Sequence, residues 1–148
     1  HTEVPHAKVF AVEKSPEAHA YTVKNFARYP GAELQLGDLA DCFNALNGSV
    51  SVVVSNPPYI PVDMVPVDPE VHLFDPSLAL YGGIDGMDVI RVVSATAKRL
   101  LRENGALIIE HADSQSAQVC ELLLADGWRQ VTAHKDLTDR YRAVSAKK

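Results

Sequence analysis

At 148 residues, 47% of them apolar and with no run of membrane-spanning length, the sequence describes one soluble globular domain with room for a core. A formal net charge of −5 argues against a broad electrostatic grip on nucleic acid, though it leaves room for a local basic patch. Cys42 and Cys120 are too few and too isolated for a disulfide framework or a zinc site, which suits a reduced, cytoplasmic setting.

The chain opens at His1-Thr2-Glu3 with no signal-peptide pattern and close to a strand, as a fragment of something longer would. Ala7 to Val12 reads as that strand, closed by Glu13. Ser15-Pro16 supplies an N-cap and a first-turn proline for a helix. Ala20, Val23 and Ala27 recur at helical spacing until Pro30-Gly31. A second strand around Leu34-Gln35-Leu36 runs into Gly37-Asp38-Leu39, and Phe43 to Gly48 connect it to a third. Two strand–connection–strand steps in succession argue for a parallel, doubly wound α/β sheet.

The third strand, Val50 to Val54, is a short β-branched run and reads as buried. It runs into Ser55-Asn56-Pro57-Pro58-Tyr59. Two consecutive prolines donate no backbone hydrogen bond, so the strand stops there and leaves the sheet stiffly. From Ile60 to Asp88 prolines, acids and glycines dominate and no period is sustained. Val65, Leu73, Phe74 and Tyr81 favour an ordered loop, read here as a substrate-facing lid; an ordinary ordered connection fits the same residues.

Regularity then returns. Val89, Val93, Ala97 and Leu100 form one helical stripe, widened by Ile90 and Leu101. Gly105 is expected to end that helix's turn before a buried strand, Ala106 to Glu110. A helix from about Ser114 is expected to bury Ala117, Cys120 and Leu124 and to stop before Gly127. Trp128 to Ala133 and Tyr141 to Ala146 read as two last strands, able to pair as an antiparallel finish. No internal repeat or second-domain boundary is visible.

Three strand ends carry candidate chemistry. Glu13 stands where an acid in a nucleotide-binding α/β fold accepts both hydroxyls of a ribose. A solvated acid beside Lys14 would look the same. Asp38 follows Gly37 at the next strand end and could accept from an adenine amino group, although Gly-Asp pairs also mark ordinary turns. Asn56 is sharper. Its amide oxygen and the Pro57 carbonyl can both accept from a planar –NH2 group, and Tyr59 can cover that group's π-face. Such a cradle directs the nitrogen at an electrophile by positioning alone. Six histidines show no metal-ligand spacing, and no metal is expected. His111 reads as a strand-end residue near the pocket rather than a catalyst. Neither a nucleophile paired with a base nor a phosphate-binding glycine loop is present.

Together these residues carry a family resemblance. Ala11-Val12-Glu13-Lys14-Ser15-Pro16, Gly37-Asp38-Leu39 and Val54-Ser55-Asn56-Pro57-Pro58-Tyr59-Ile60-Pro61 resemble motifs of the release-factor glutamine methyltransferase (HemK/PrmC) family. Glu70, Pro76, Leu78-Ala79-Leu80, Gly82-Gly83-Ile84-Asp85-Gly86, Gly105 and Glu110-His111 extend the match almost end to end. Asn-Pro-Pro-Tyr alone is shared with methyltransferases acting on nucleobase amino groups; the signature from Glu70 to Gly86 points to the protein-modifying branch.

The resemblance implies a Rossmann-like class I methyltransferase sheet, mostly parallel with an antiparallel C-terminal strand. It further implies that residues 1–148 are a partial catalytic domain. The family's N-terminal helical domain, its first strand and its glycine-rich loop would precede His1. That strand would lie centrally, between those ending at Glu13 and Asn56. S-adenosylmethionine would be the methyl donor, with Glu13 on its ribose, Asp38 and Leu39 beside its adenine, and Asn56 also bordering it. Asn56, Pro57, Pro58 and Tyr59 would bind the glutamine of the Gly-Gly-Gln motif in a peptide-chain release factor, with Asn56, Pro57 and Tyr59 catalytic. Attack of the amide nitrogen on the sulfonium methyl would give N5-methylglutamine and S-adenosylhomocysteine. The expected partner is the release factor, with no membrane and no direct nucleic-acid contact. One departure stands out: Ala112-Asp113 follows Glu110-His111 where the family usually has a glycine. The competing readings are a DNA or RNA amino-methyltransferase using the same Asn56 site, and a non-catalytic binding domain.

Overall fold

The computed structural model describes residues 3–4, 6–66 and 68–148; the fragment-like start at His1-Thr2 lies outside them. Two compact units divide the chain, residues 1–44 and 45–148.

In the first unit, β1 (Val9–Glu13) and β2 (Ala32–Leu36) pair in parallel, with α1 (Pro16–Phe26) connecting them. Ser15 caps α1 as its sequence position predicts. Its Oγ accepts from the Ala18 amide at 3.2 Å, and Pro16 fills the first turn, where an absent N–H leaves no bond unmade. The helix stops at Phe26, ahead of Pro30-Gly31, because the Tyr29 and Ala32 amides close successive turns onto the Phe26 and Tyr29 carbonyls. Phe10 and Phe43 meet edge to face, 5.5 Å between ring centres.

The second unit is a four-stranded sheet in the order β3-β4-β6-β5, made of β3 (Val50–Ser55), β4 (Leu101–Glu110), β5 (Arg129–Lys135) and β6 (Tyr141–Lys147). β3 and β4 run parallel; β6 runs antiparallel to both β4 and β5, the antiparallel finish expected from sequence. Against it lie α4 (Asp88–Leu100) and α5 (Ser116–Ala125). Leu107 and Ile109 of β4, Val144 of β6, Ile90 of α4 and Val119 and Leu123 of α5 are completely buried. Each such side chain contributes roughly 1.5–3 kcal/mol of transfer free energy. One polar tie crosses this core: the Trp128 Nε1–H donates to Ser94 Oγ at 2.9 Å, and Ser94 Oγ donates to Asp126 Oδ2 at 2.5 Å.

Four expectations are corrected here. β3 is not buried: none of its residues is fully covered, and Val52 and Val54 are 52% and 71% exposed. The stretch 60–88 is not without regular structure: α2 (Pro69–Phe74) and α3 (Ser77–Leu80) lie within it, while Val67 falls outside the described residues. Helices this short show no periodicity, but Asp68 caps α2 through Oδ1 to the Glu70 amide at 2.9 Å. Gly105 does not end a helical turn. β4 follows α4 directly, and Gly105 sits in a bulge where β4 advances from Leu101 to Ala106 while β3 advances only from Val50 to Val52. Asn104, at φ 61°, takes the left-handed residue of that bulge.

The buried stripe of α5 runs through Val119 and Leu123, not through Ala117, Cys120 and Leu124. Leu122, Leu123 and Leu124 follow one another over a wide arc of this helix, so periodicity alone does not choose between neighbouring faces. Leu123→Ala should therefore cost about 2–5 kcal/mol in urea unfolding. Leu124→Ala, at a side chain 59% exposed, should stay within about 0.5 kcal/mol. Equal losses would mean that the helix is seated on the other face.

Candidate functional site

β3 delivers the Asn-Pro-Pro-Tyr segment at its carboxyl end. Pro57 is buried, Pro58 and Tyr59 are half-buried, and Asn56 is exposed. Among the described residues the Asn56 side-chain amide makes no hydrogen bond, and neither does the Pro57 carbonyl. Both acceptors expected of the cradle are therefore available.

Backbone contacts hold the segment from the far side. The Ile60 amide donates to the Leu80 carbonyl and the Gly82 amide to Ile60, both at 2.9 Å; the Val62 amide donates to Gly83 at 3.0 Å. These bonds form a miniature parallel pairing of the post-motif chain with residues 80–83. At Gly82 a Cβ would stand 2.5 Å from the Pro58 carbonyl oxygen, and at Gly86 (φ +72°) it would stand 2.2 Å from that of Tyr59. No side chain fits either place, so Gly82 and Gly86 are dictated by close approach to the motif's backbone, while Gly83 (φ +93°) is crowded by the Asp88 side chain instead. The part of the 60–88 stretch expected to be a lid thus includes a buttress under the motif.

Asp85 and Arg91 fasten that buttress. Arg91 Nη2 lies 2.5 Å from Asp85 Oδ2, and the Met87 amide donates to Asp85 Oδ1 at 3.0 Å. The Arg91 hydrogen bond, then the Met87 N–H, holds the Asp85 carboxyl below its usual titration range.

Two further supports escaped the sequence reading. Gln115, only 6% exposed, donates from Nε2 to the Tyr59 carbonyl at 2.9 Å while its Oε1 accepts from the Ala112 amide at 3.0 Å. Arg142 of β6 donates from Nη2 to the Tyr59 hydroxyl at 3.0 Å. Arg142 is distant from the motif along the chain and lies on a strand that sequence alone cannot place beside it. Gln115 did leave a weak signal, a glutamine three residues after the strand exit at Ala112 that could bond back to it.

In the first unit Glu13 and Asp38 come to the same end of the β1–β2 pair. The Gly37 amide donates to the Glu13 carbonyl at 2.9 Å, which joins the two strand ends. Glu13 Oε1 accepts from the Ser15 amide at 2.8 Å, and Oε2 has no partner among the described residues. Asp38 is more engaged: Oδ1 accepts from the Ala40 amide at 2.9 Å and Oδ2 from Lys14 Nζ at 2.8 Å. Those bonds, the Ala40 N–H first, lower its pKa. Leu39 is half-buried, its carbonyl accepting from Cys42 Sγ at 3.1 Å.

His111, at the end of β4, is completely buried. Its Nδ1 lies 2.7 Å from the Ala112 carbonyl, which can only accept, so Nδ1 is the donor of this bond, and Nε2 has no partner among the described residues. No group of three or more His, Cys, Asp or Glu among the described residues could hold a metal ion, and no described helix is long and apolar enough to cross a membrane. A cleft of about 260 Å³ lined by Asn104, Arg129, Gln130 and Lys147 opens near the start of β4, the opposite end of that strand from the motif.

No protein-family model matches the chain. Over 148 residues it is 43% identical to the release factor glutamine methyltransferase of Streptomyces coelicolor, covering 99% of this chain and 52% of that protein. This chain is a homologue of the release factor glutamine methyltransferases. It is also 41% identical, over 137 residues, to the 4-amino-L-phenylalanine/4-methylamino-L-phenylalanine methyltransferase of Streptomyces pristinaespiralis, covering 92% of this chain and 47% of that one. A methyltransferase structure from Pyrococcus furiosus overlays with a TM-score of 0.67 at 19% identity, covering 95% of this chain and 62% of that one. The fold is thus the Rossmann-like methyltransferase fold expected from sequence. The chain spans about half the length of the curated relatives it matches.

The Asp85 lock yields a pH prediction. A carboxyl whose folded pKa is depressed adds stability above the ordinary carboxylate range, and that increment is lost as pH falls through the lower folded value. Asp85 is 39% exposed in this pair, so the increment is screened by salt. Asp85→Asn should narrow the difference in thermal midpoint between about pH 7 and about pH 3. An unchanged difference would show that the lock adds nothing.

Proposed function

We propose that this chain performs methyl transfer to the side-chain amide nitrogen of a glutamine, that of the Gly-Gly-Gln motif in a peptide-chain release factor. The observation that carries this reading is the pair of unoccupied acceptors at the strand exit, Asn56 Oδ1 and the Pro57 carbonyl, on a backbone locked from behind.

A primary amide presents two N–H groups in one plane, and these two acceptors take one each. Its lone pair is delocalised, so the nitrogen is a poor nucleophile. As positive charge develops on it, the hydrogen bonds to Asn56 and Pro57 strengthen, which favours the transition state over the ground state. Pro58 sets the direction in which the chain leaves the cradle. Tyr59 lays its ring over the amide's π-face and excludes water there. A carboxylate would enter badly, having no N–H to give to either acceptor.

The residues of the first unit fit the expected donor. Glu13 has one carboxylate oxygen without a partner among the described residues for a ribose hydroxyl, and Asp38 keeps a second lone pair on each oxygen beside the half-buried Leu39 for an adenine edge. When bound, S-adenosylmethionine supplies a sulfonium methyl and leaves as S-adenosylhomocysteine, with N5-methylglutamine and a proton as the other products. No metal enters this reading. Exposed Leu73, Phe74 and Leu78 give the stretch after the motif an apolar face, suited to a lid over a protein substrate. A release factor as partner, with no membrane or nucleic-acid contact, places the reaction in the cytoplasm.

A second acceptor, an aromatic amine, is favoured by the relative that methylates 4-amino-L-phenylalanine. Its –NH2 fits the same two acceptors.

The test compares methyl transfer by the full chain to release factor, to 4-amino-L-phenylalanine and to nucleic acid. Release factor should be the substrate, and Asn56→Ala should lower kcat about 100- to 1,000-fold. An undiminished rate in that variant would overturn the catalytic assignment. Preference for the free amino acid or for nucleic acid would move the substrate class, and no turnover of any acceptor would leave a binding domain.

A further inference from the structure

Tyr59 is anchored at both ends, and its outer anchor has no role in the reading so far. Gln115 and the glycine buttress hold its carbonyl. Its hydroxyl is held by Arg142, whose guanidinium carbon also lies 5.7 Å from the ring centroid. Arg142 is fixed in turn. Its backbone carbonyl accepts from the His111 amide at 3.1 Å, just past the end of the β4–β6 ladder. Its Nη2 lies 3.5 Å from Glu110 Oε1, on the residue before His111. A rigid strand pair thus presents an arginine, steadied by a carboxylate, to the one aromatic side chain of the strand exit.

We propose that Arg142, steadied by Glu110, is a positioning residue for methyl transfer: it clamps the Tyr59 ring as a fixed wall of the acceptor cradle. The inference rests on the reading of Asn56 to Tyr59 as that cradle. A half-buried tyrosine has two free torsions, and its backbone anchor restrains neither. Without a partner at the hydroxyl, the ring would sample several rotamers and cover the acceptor only part of the time. A planar guanidinium is suited to the task because it hydrogen-bonds the oxygen while lying against the ring edge. Lysine offers a point charge with no preferred plane. Because Arg142 touches Tyr59 rather than the acceptor amide, its effect should fall on turnover and vanish once the hydroxyl is gone.

The experiment measures methyl transfer by the full chain carrying Arg142→Ala, Arg142→Lys, Tyr59→Phe, or Arg142→Ala with Tyr59→Phe. The χ1 rotamer populations of Tyr59 are followed by NMR scalar couplings, without substrate, on the proteins that keep this tyrosine. Arg142→Ala should lower kcat about 10- to 100-fold, with the KM for the methyl donor unchanged, and Arg142→Lys should recover part of the loss. In the Tyr59→Phe background Arg142→Ala should change nothing further. Tyr59 should hold one χ1 rotamer in the unmodified chain and average over several in Arg142→Ala. Independent, additive losses, or a ring whose motion ignores Arg142, would overturn the clamp. If no amide or amine is methylated by any of these proteins, the functional reading fails by itself, and the rotamer comparison still decides whether the clamp exists.

Discussion

Pro57 and Pro58 withhold two consecutive backbone donors at the end of β3, and much of the second unit is arranged around that fact. A chain that leaves a sheet without N–H groups cannot be held by ordinary ladder bonds, so its carbonyls and flanks must be held instead. Gly82 and Gly86 approach the Pro58 and Tyr59 carbonyls more closely than any side chain would allow. Gln115 reaches the Tyr59 carbonyl from the turn after β4. Asp85 and Arg91 keep the glycine turn from opening. The exit is stiff because the 80–86 turn and Gln115 both hold its backbone. Asn56 itself stays exposed to solvent.

This division of labour is consistent with catalysis by placement. An amide nitrogen needs no strong base within reach. What it needs is a geometry that does not relax when the acceptor arrives. The buried groups are spent on rigidity, while the exposed ones, Asn56 and part of Tyr59, meet the acceptor.

Local chemistry was legible in the sequence. The Ser15 cap, the strand of β-branched residues before Asn56, the acids closing β1 and β2 and the two last strands all announce themselves within a few residues. What was not legible depends on tertiary choice. α5 carries Leu122, Leu123 and Leu124 in succession over a wide arc, so only packing decides that Leu123 rather than Leu124 turns inward. The bulge at Asn104-Gly105 resembles a helix stop because both end a periodic run with a residue able to take positive φ. The glycines after Tyr81 read as loop punctuation, since nothing local reveals the carbonyls they must approach. Arg142 shows no signal at all, its partner lying on another strand's exit.

The central claim is that Asn56 and Pro57 form a receptor for a planar –NH2 group. It is tested most directly by titrating the chain with a peptide carrying Gly-Gly-Gln, in the presence of S-adenosylhomocysteine, while following the Asn56 side-chain amide by NMR. The account predicts that this resonance shifts on titration, and that the same peptide with glutamate in place of glutamine leaves it unmoved. Equal shifts with both peptides, or binding that perturbs other residues and spares Asn56, would contradict it.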